Sequence, residues 1–554
     1  MSRDDIKIIP LGGVCEIGKN MMLYEYDEKI LIVDCGVMFP DEDLPGVDLI
    51  IPDFTYLKEN RNRIAGLCLT HGHEDHVGAM GYFMREFPTV PVYGGALTLG
   101  IMQARLREHP VDAKSLTMNT VHPGESRQIG PFKVEWIRVG HSIPDACGLA
   151  ITTDLGTIIQ SGDFKFDQTP VDGKLPQFAR FAQFGESGVL ALLSDTTNAG
   201  RAGQTGSESS VRPGLERIFA DVEGRIFVAT FASNVHRVQQ VMDIADLYGR
   251  RVALTGRSML TICGIAEQLG YLKPPKPLVP IEEIENYADN EICVLMTGAQ
   301  GEPMAALSKM AKHQNRFCDL RPNDSVILSS TPIPGNEGAV FKVINALCLS
   351  GAHVYRAPNH PVHVSGHGNQ EDLKLMLNLT RPKWAIPYHG EPRHALSYAD
   401  LCEGAGYDRD SVPFMQVGDV LSVSPDKCEI IGHVPAGAVL VDGLTIGDVG
   451  NAVLRDRKHL GDDGFVAVSV ILDKQTGAIL NGPDITQRGF LHQPNAEEFL
   501  QTATERVKAR LLELERGQVG DEQGIARIIR ETLADFIGST MRRRPMILPV
   551  VMKV

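Results

Sequence analysis

Short apolar runs broken by Gly-Gly and charged turns fill the first part of the chain. Ile6-Lys7-Ile8-Ile9, Met22-Leu23-Tyr24 and Ile30-Leu31-Ile32-Val33 read as β-rich segments of this kind. Cys68-Leu69-Thr70 reads as another buried strand that ends directly at a histidine cluster. Val134-Glu135-Trp136-Ile137 and Thr157-Ile158-Ile159-Gln160 follow, each ahead of a polar loop rich in His or Asp. From about residue 209 the rhythm changes. The helix-like stretch 235–248 stands among the apolar strands Ile226-Phe227-Val228-Ala229, Val252-Ala253-Leu254, Cys293-Val294-Leu295-Met296 and Val326-Ile327-Leu328. This alternation predicts parallel α/β structure in a separate domain. Histidine-rich loops return at 361–394, so the second domain reads as an insertion into the first. Beyond about 450 the pattern predicts a strand over 465–470, amphipathic helices near 496–516 and 522–537, and a strand-like tail at 545–551.

At 554 residues the chain is too long for one compact core, and two to four domains are expected. Its 43% hydrophobic and 22% charged content excludes a disordered, collagenous or coiled-coil protein. No run approaches the ~18 consecutive apolar residues of a membrane span. The opening MSRDDIKIIP has acids where a secretory signal carries a basic region, so a soluble, cytoplasmic protein is expected. The ten cysteines stand singly, without a CxxC pair, which favours reduced thiols over a disulfide scaffold or a cysteine zinc site. A net charge of −15 argues against broad non-specific nucleic-acid binding but leaves room for a confined channel.

Gly13-Val14-Cys15-Glu16-Ile17-Gly18-Lys19-Asn20 nearly spells a phosphate-binding P-loop. Asn20 lacks the hydroxyl such a loop uses to hold Mg²⁺, and strand-like residues follow where a helix is required. The segment therefore reads as an ordinary turn. The strongest chemistry lies in Thr70-His71-Gly72-His73-Glu74-Asp75-His76. Three imidazoles and two acids this close carry a large desolvation cost in a core unless something compensates them. Imidazole and carboxylate suit Zn²⁺ or Mn²⁺. His71 and His73 can serve one ion, and Asp75 and His76 a second. His141, Asp163 and His389 are candidates for the remaining ligands.

HxHxDH at 71–76, followed by His141 and Asp163, resembles the ligand order of the metallo-β-lactamase fold, and Asp34 matches its earlier structural aspartate. Asp195, His367 and His389 resemble the three extra motifs of the β-CASP group of nucleic-acid-processing enzymes. Phe231-Ala232-Ser233-Asn234, Thr297-Gly298-Ala299-Gln300-Gly301-Glu302-Pro303-Met304 and Arg543-Arg544-Pro545-Met546-Ile547-Leu548-Pro549 narrow the resemblance to the bacterial ribonuclease J family, essentially end to end. Tyr388 and the stretch 199–206 depart from that pattern without removing a ligand.

The resemblance implies an α/β architecture: an αββα sandwich over 1–208 and 372–447, an inserted β-CASP domain over 209–371, a linker at 448–458 and a small α/β domain at 459–554. It implies two Zn²⁺ per subunit, with Mn²⁺ or Mg²⁺ as alternatives in the cell, held by His71, His73, Asp75, His76, His141, Asp163 and His389. Asp163 would bridge the ions, and Asp195 and His367 would act around the departing 3′ oxygen. Ala232, Ser233 and Asn234, with His363, Val364, Ser365, Gly366 and His367, would form a pocket for the terminal phosphate of the substrate. A structural Ca²⁺ on Gly46, Asp48 and Asp442 is implied as well. The activity implied is 5′→3′ exonuclease action on 5′-monophosphorylated single-stranded RNA, with endonuclease activity, in RNA decay and in rRNA and mRNA maturation. A homodimer or homotetramer, contacts with other RNA-decay proteins and no membrane association go with it. Two other readings compete. A metallo-hydrolase acting on a thioester or lactam would share the first ligands, but has no use for Asp195, His367 or the insertion. An idle RNA-binding scaffold has no need of an intact ligand set.

Overall fold

The computed structural model describes residues 4–41, 43–302, 305–315, 317–332, 336–443, 445–447, 450–491, 496–513 and 521–554. Pro303 and Met304, part of one family-like motif, lie outside the described residues. The chain divides into two compact units, Met1–Phe39 with Ile50–Val439, and Pro40–Leu49 with Leu440–Val554.

Two mixed sheets face each other in the larger unit. One has eight strands in the order Cys428–His433, Asp419–Val423, Ile6–Gly12, Met21–Tyr26, Lys29–Val33, Ile64–Cys68, Val92–Gly94 and Met118–Thr120. The other has six, in the order Pro382–Tyr388, Val189–Asp195, Gly156–Gln160, Cys147–Thr153, Phe132–Arg138 and Ser126–Ile129. Alternation along the strands builds the layer between them: in Phe132–Arg138, Phe132, Val134 and Trp136 are buried and Lys133 is exposed. These side chains pack with Ile8, Met22, Tyr24, Leu31 and Val33 of the first sheet. Burial of such a layer, at about 25 cal/mol per Å² of apolar surface, is the main force holding the sheets face to face.

The chain leaves the six-stranded sheet at Asp195 and returns as the neighbouring parallel strand, which sets Asp195 opposite Tyr388. Between these strands the chain forms a five-stranded parallel sheet in the order Arg251–Thr255, Ile292–Met296, Ile226–Ala229, Ser325–Leu328 and His353–Arg356. Its three central strands are buried throughout, the signature of a parallel sheet covered on both faces. The helix expected at 235–248 runs over Val235–Leu247. The strand expected at 68–70 instead spans Ile64–Cys68, so Leu69 and Thr70 already belong to the loop that carries the histidines.

In the smaller unit, Phe465–Leu472 pairs antiparallel with Ile479–Arg488 and parallel with the tail strand Met546–Lys553. Helices Ala496–Leu512 and Glu522–Met541 bury Ala503, Val507, Ile525, Ile529 and Leu533 against this sheet. The stretch expected as a linker, 448–458, carries the start of a helix over Asn451–Asp463, and residues 448 and 449 lie outside the described residues. All ten cysteines are free, and Cys348 is exposed. No helix among the described residues is long and apolar enough to cross a membrane.

One buried ion pair pins the start of the inserted sheet to its surroundings. Arg237, fully buried, donates through Nε to Glu208 Oε1 at 2.7 Å and through Nη1 to the Val362 carbonyl at 2.8 Å. The Glu208 N–H in turn donates to Asp167 Oδ2 at 2.8 Å. Removing one partner of such a pair strands a charge in low dielectric. Glu208→Ala should therefore lower unfolding stability by about 3–5 kcal/mol, read from urea denaturation, and a loss under about 1 kcal/mol would contradict this placement.

Candidate metal centre

Strand ends from both sheets assemble the site. His71 follows Ile64–Cys68, His141 follows Phe132–Arg138, and Asp163 follows Gly156–Gln160. Asp195 ends its own strand, and His389 comes directly after Pro382–Tyr388. Pairing makes the last four strands run in one direction, so their carboxyl ends share an edge. Asp34 and His389 both hold left-handed backbone, at φ 63° and 49°. Such conformations persist in non-glycine residues where the surroundings impose them.

Two groups of four side chains share Asp163: His71, His73 and His141 on one side, and Asp75, His76 and His389 on the other. Asp163 Oδ2 lies 3.6 Å from His71 Nε2, 3.3 Å from His76 Nε2, 3.8 Å from His141 Nε2 and 3.7 Å from His389 Nε2. His73 Nδ1 is 3.1 Å from both His71 Nε2 and His141 Nε2, and His389 Nε2 is 3.1 Å from Asp75 Oδ2. The structure thus brings together the seven residues named from the sequence, with His71 and His73 in one group and Asp75 and His76 in the other.

Hydrogen bonds behind the rings fix their tautomers. His76 Nδ1 lies 2.8 Å from Asp34 Oδ2 and His141 Nδ1 lies 2.9 Å from the Gly366 carbonyl. Both oxygens only accept, so both nitrogens carry the proton. Thr197 Oγ1 donates to the His389 carbonyl at 3.1 Å and accepts from His389 Nδ1 at 2.8 Å. In their neutral, ligating form all three rings turn an Nε2 lone pair inward, onto carboxylate oxygens or another imidazole nitrogen. Lone pairs and anions at this range repel unless a positive charge stands among them. A Cβ at Gly366 would come within 2.8 Å of the His141 ring, so only glycine admits this support.

The electrostatics agree. Burial holds the His71 and His141 pKa values well below the ordinary value and brings His73 down to about 4, which keeps these rings in the neutral, ligating form. Burial also opposes charge on His76, yet Asp163, Asp75 and Asp34 push its pKa well above normal. This side of the pocket draws in a cation. Asp163 Oδ1 is buried and accepts no hydrogen bond, which reserves its lone pairs for a ligand. Five imidazoles and two carboxylates, with Asp163 shared between the two sets, fit zinc.

His367 stands over this group, its ring stacked on His389 at 5.5 Å between centroids. Its Nδ1 lies 2.7 Å from Asp195 Oδ2. Burial alone would lower the His367 pKa, but the charge and hydrogen bond of Asp195 raise it to about 9. The other residues expected in the substrate pocket lie around the ends of the parallel sheet. Ala232 is buried and Ser233 half-buried, and Asn234 Oδ1 accepts from the Arg237 N–H at 3.1 Å as the cap of Val235–Leu247. Its oxygen is spent on the helix rather than on a ligand. Ser365 Oγ accepts from Asn198 Nδ2 at 3.0 Å and from the His367 N–H at 3.1 Å. Val364 is half-buried. His363 has a buried, unpartnered Nδ1, and burial with the charge of Arg237 lowers its pKa to about 3.

The residues expected to bind Ca²⁺ do not fit it as they stand. Arg457 bonds the Asp442 carboxylate and donates to the Pro45 carbonyl at 3.2 Å, with Gly46 directly beneath its guanidinium. Asp48 Oδ2 accepts from the Gly443 N–H at 2.8 Å. An internal cation already occupies the position.

Sequence reasoning missed Thr70, Thr197, Asn20 and Arg237. Thr70 Oγ1 donates to Asp34 Oδ2 at 2.8 Å and lies 3.0 Å from His71 Nδ1. Its adjacency to His71 was a signal, whereas Thr197 acts on His389, 192 residues on, and Arg237 on Glu208, Ser329 and Val362, 29 to 125 residues away in the chain.

Known proteins match along the whole length. Residues 16–227 match the metallo-beta-lactamase superfamily, 223–347 the ribonuclease J beta-CASP domain, 355–411 the Zn-dependent metallo-hydrolase RNA specificity domain, and 452–554 the ribonuclease J C-terminal domain. Ribonuclease J of Thermus thermophilus is 40% identical, with 100% of this chain and 96% of that protein aligned. Ribonuclease J of Mycobacterium tuberculosis is 41% identical over 99% and 97%. Ribonuclease J2 of Bacillus subtilis is 38% identical over 100% and 99%. A solved structure of a protein of unknown function from Enterococcus faecalis shares the fold at TM-score 0.52 and 16% identity, covering 76% of this chain and all of that one. With metallo-β-lactamase, β-CASP and C-terminal regions all present and identity sustained from end to end, the chain belongs to the ribonuclease J family.

Proposed function

We propose that this zinc-dependent, RNA-directed hydrolase holds two Zn²⁺ on the ligand sets sharing Asp163 and degrades single-stranded RNA 5′→3′ from a monophosphorylated end, with endonuclease cleavage as a second mode. The observation that carries this reading is the His367–Asp195 pair standing over the two ligand sets. When bound, the ions supply Lewis-acid polarisation of the scissile phosphodiester. His71, His73, His141 and Asp163 take one ion, and Asp75, His76, His389 and Asp163 the other. Asp34, Gly366 and Thr197 keep three of the imidazoles in the ligating tautomer. At neutral pH His367 carries a proton on each nitrogen: Nδ1–H is committed to Asp195, and Nε2–H serves the departing 3′ oxygen as a general acid.

The topology of the parallel sheet supports the 5′-end pocket. From Ile226–Ala229 the chain goes to one side of the sheet for the next two strands and then crosses to the other at Ser325–Leu328. Ligands in such sheets bind outside the carboxyl ends of the strands at this switch point, which is where Ala232, Ser233 and Asn234 lie. Val235–Leu247 turns its N-terminus toward the same loop, a favourable seat for a phosphate. A terminal monophosphate is satisfied there, whereas the outer phosphates of a triphosphate would be desolvated without counter-charges.

We assign 1–208 and 372–447 to the catalytic sandwich, 209–371 to the insertion and 459–554 to the C-terminal domain. The enzyme would act in the cytoplasm as a homodimer or homotetramer, with other RNA-decay proteins, in RNA decay and in rRNA and mRNA maturation. Calcium has no part in this reading, because Arg457 fills its place.

On RNAs differing only in the 5′ group, the monophosphate should be degraded about 100-fold faster than the triphosphate, with mononucleotides released in order. Equal rates, with internal fragments from the first time point, would leave endonuclease action alone. His76→Ala should cut RNA cleavage by orders of magnitude and lower zinc content in a chain that still folds by circular dichroism. Full activity with unchanged zinc would overturn the ligand assignment.

A further inference from the structure

The P-loop-like segment Gly13–Asn20 is more than a turn between strands. Its two ends grip the second ligand set from opposite sides. The Gly13 carbonyl accepts from the His389 N–H at 2.7 Å, and the Asn20 N–H donates to the Asp75 carbonyl at 2.9 Å. Glu16 ties the segment together, accepting from the Gly13 N–H at 3.1 Å and pairing with the buried Lys19 ammonium at 2.6 Å.

The Asn20 side chain reaches further in. It is almost wholly buried, and its Nδ2 lies 3.0 Å from the Asp75 carbonyl, 3.4 Å from Asp75 Oδ2 and 3.1 Å from His76 Nε2. The first two groups only accept. His76 Nε2 is the nitrogen that faces the metal position, since Asp34 holds Nδ1, so its lone pair belongs to the ion and not to the amide. Two Asp75 oxygens at one end of a carboxamide require the NH₂ group there, so the amide orientation follows from the chemistry of its neighbours. The opposite end, Oδ1, is buried without a hydrogen-bond partner. It rests over Gly13, where a Cβ would stand 2.1 Å from Oδ1 and where φ is +79°. A buried amide that leaves its oxygen unsatisfied to keep its nitrogen on these ligand atoms is a costly arrangement for a mere turn.

We propose that Asn20 is a positioning residue for the second ligand set, its carboxamide N–H groups holding Asp75 in the geometry that takes up the second ion beside His76, with Gly13 keeping the space for that amide. The proposal rests on the two-ion reading above. It also explains the Asn that spoils the P-loop pattern, since a serine or threonine hydroxyl carries a single proton and cannot bond the Asp75 carbonyl and carboxylate together. The first ligand set of His71, His73 and His141 has no hydrogen bond to Asn20, so the effect falls on one ion and spares the other.

The test is zinc retention of the full chain, measured by elemental analysis after equilibration against graded concentrations of a chelator, with Zn²⁺ alone as the probe. Native protein should hold two ions. Asn20→Ala should lose one of them at about 10-fold lower chelator and keep the other, as expected for loss of an outer-shell hydrogen bond. Gly13→Ala keeps the amide but displaces it, and should behave in the same way. Excess zinc should restore RNA cleavage by both variants, and the melting temperature of the zinc-free protein should stay within a few degrees of native. Two ions retained equally by native and both variants would overturn the proposal alone. Loss of both ions together, or a large fall in the zinc-free melting temperature, would show a merely structural residue and overturn it as well. Native protein that holds a single zinc at every chelator concentration would overturn the two-ion reading and this proposal with it.

Discussion

The site is organised around one buried carboxylate. Asp163 is 2% exposed, and the oxygen it turns to its neighbours lies within 3.8 Å of four imidazole nitrogens. An anion so far from water is tolerable only beside positive charge, and the surrounding rings cannot supply enough of it while their outer nitrogens hold the protons. Asp34, the Gly366 carbonyl and Thr197 each fix one of those protons on the outside of the cluster. The centre is therefore built as a lone-pair cavity for cations, and the strands that deliver these residues must end at one edge for it to exist.

That requirement explains the architecture. The parallel pairing of Val189–Asp195 with Pro382–Tyr388 puts Asp195 and His389 on adjacent strand ends, and the insertion hangs between them. The chain can thus add a second α/β domain without disturbing the sandwich, while returning the loop of Gly366 and His367 over the metal ligands. The buried Glu208–Arg237 pair fastens this arrangement at the start of the inserted sheet.

What could be read from the sequence was local. His71, His73, Asp75 and His76 announce themselves because spacing alone makes them costly without a metal, and the strands around them alternate plainly. His141, Asp163 and His389 are single residues in loops, candidates only because two ions need further ligands, and united only by the fold. Asn20 was read as a turn residue because its partners, Asp75 and His76, lie far along the chain. Arg237 lies in the helix-like stretch 235–248 with nothing in the sequence to mark it, and only burial and three separate acceptors give it a place. Gly46 and Asp442 do meet, but at the Arg457 side chain, whose sequence position gives no hint of that contact, while Asp48 bonds the Gly443 N–H.

The most direct test of the central claim is anomalous X-ray scattering at the zinc edge from crystals of the full chain. The account predicts two peaks per chain on either side of the Asp163 carboxylate, one among His71, His73 and His141 and one among Asp75, His76 and His389. A single peak, or peaks that do not share Asp163, would contradict it.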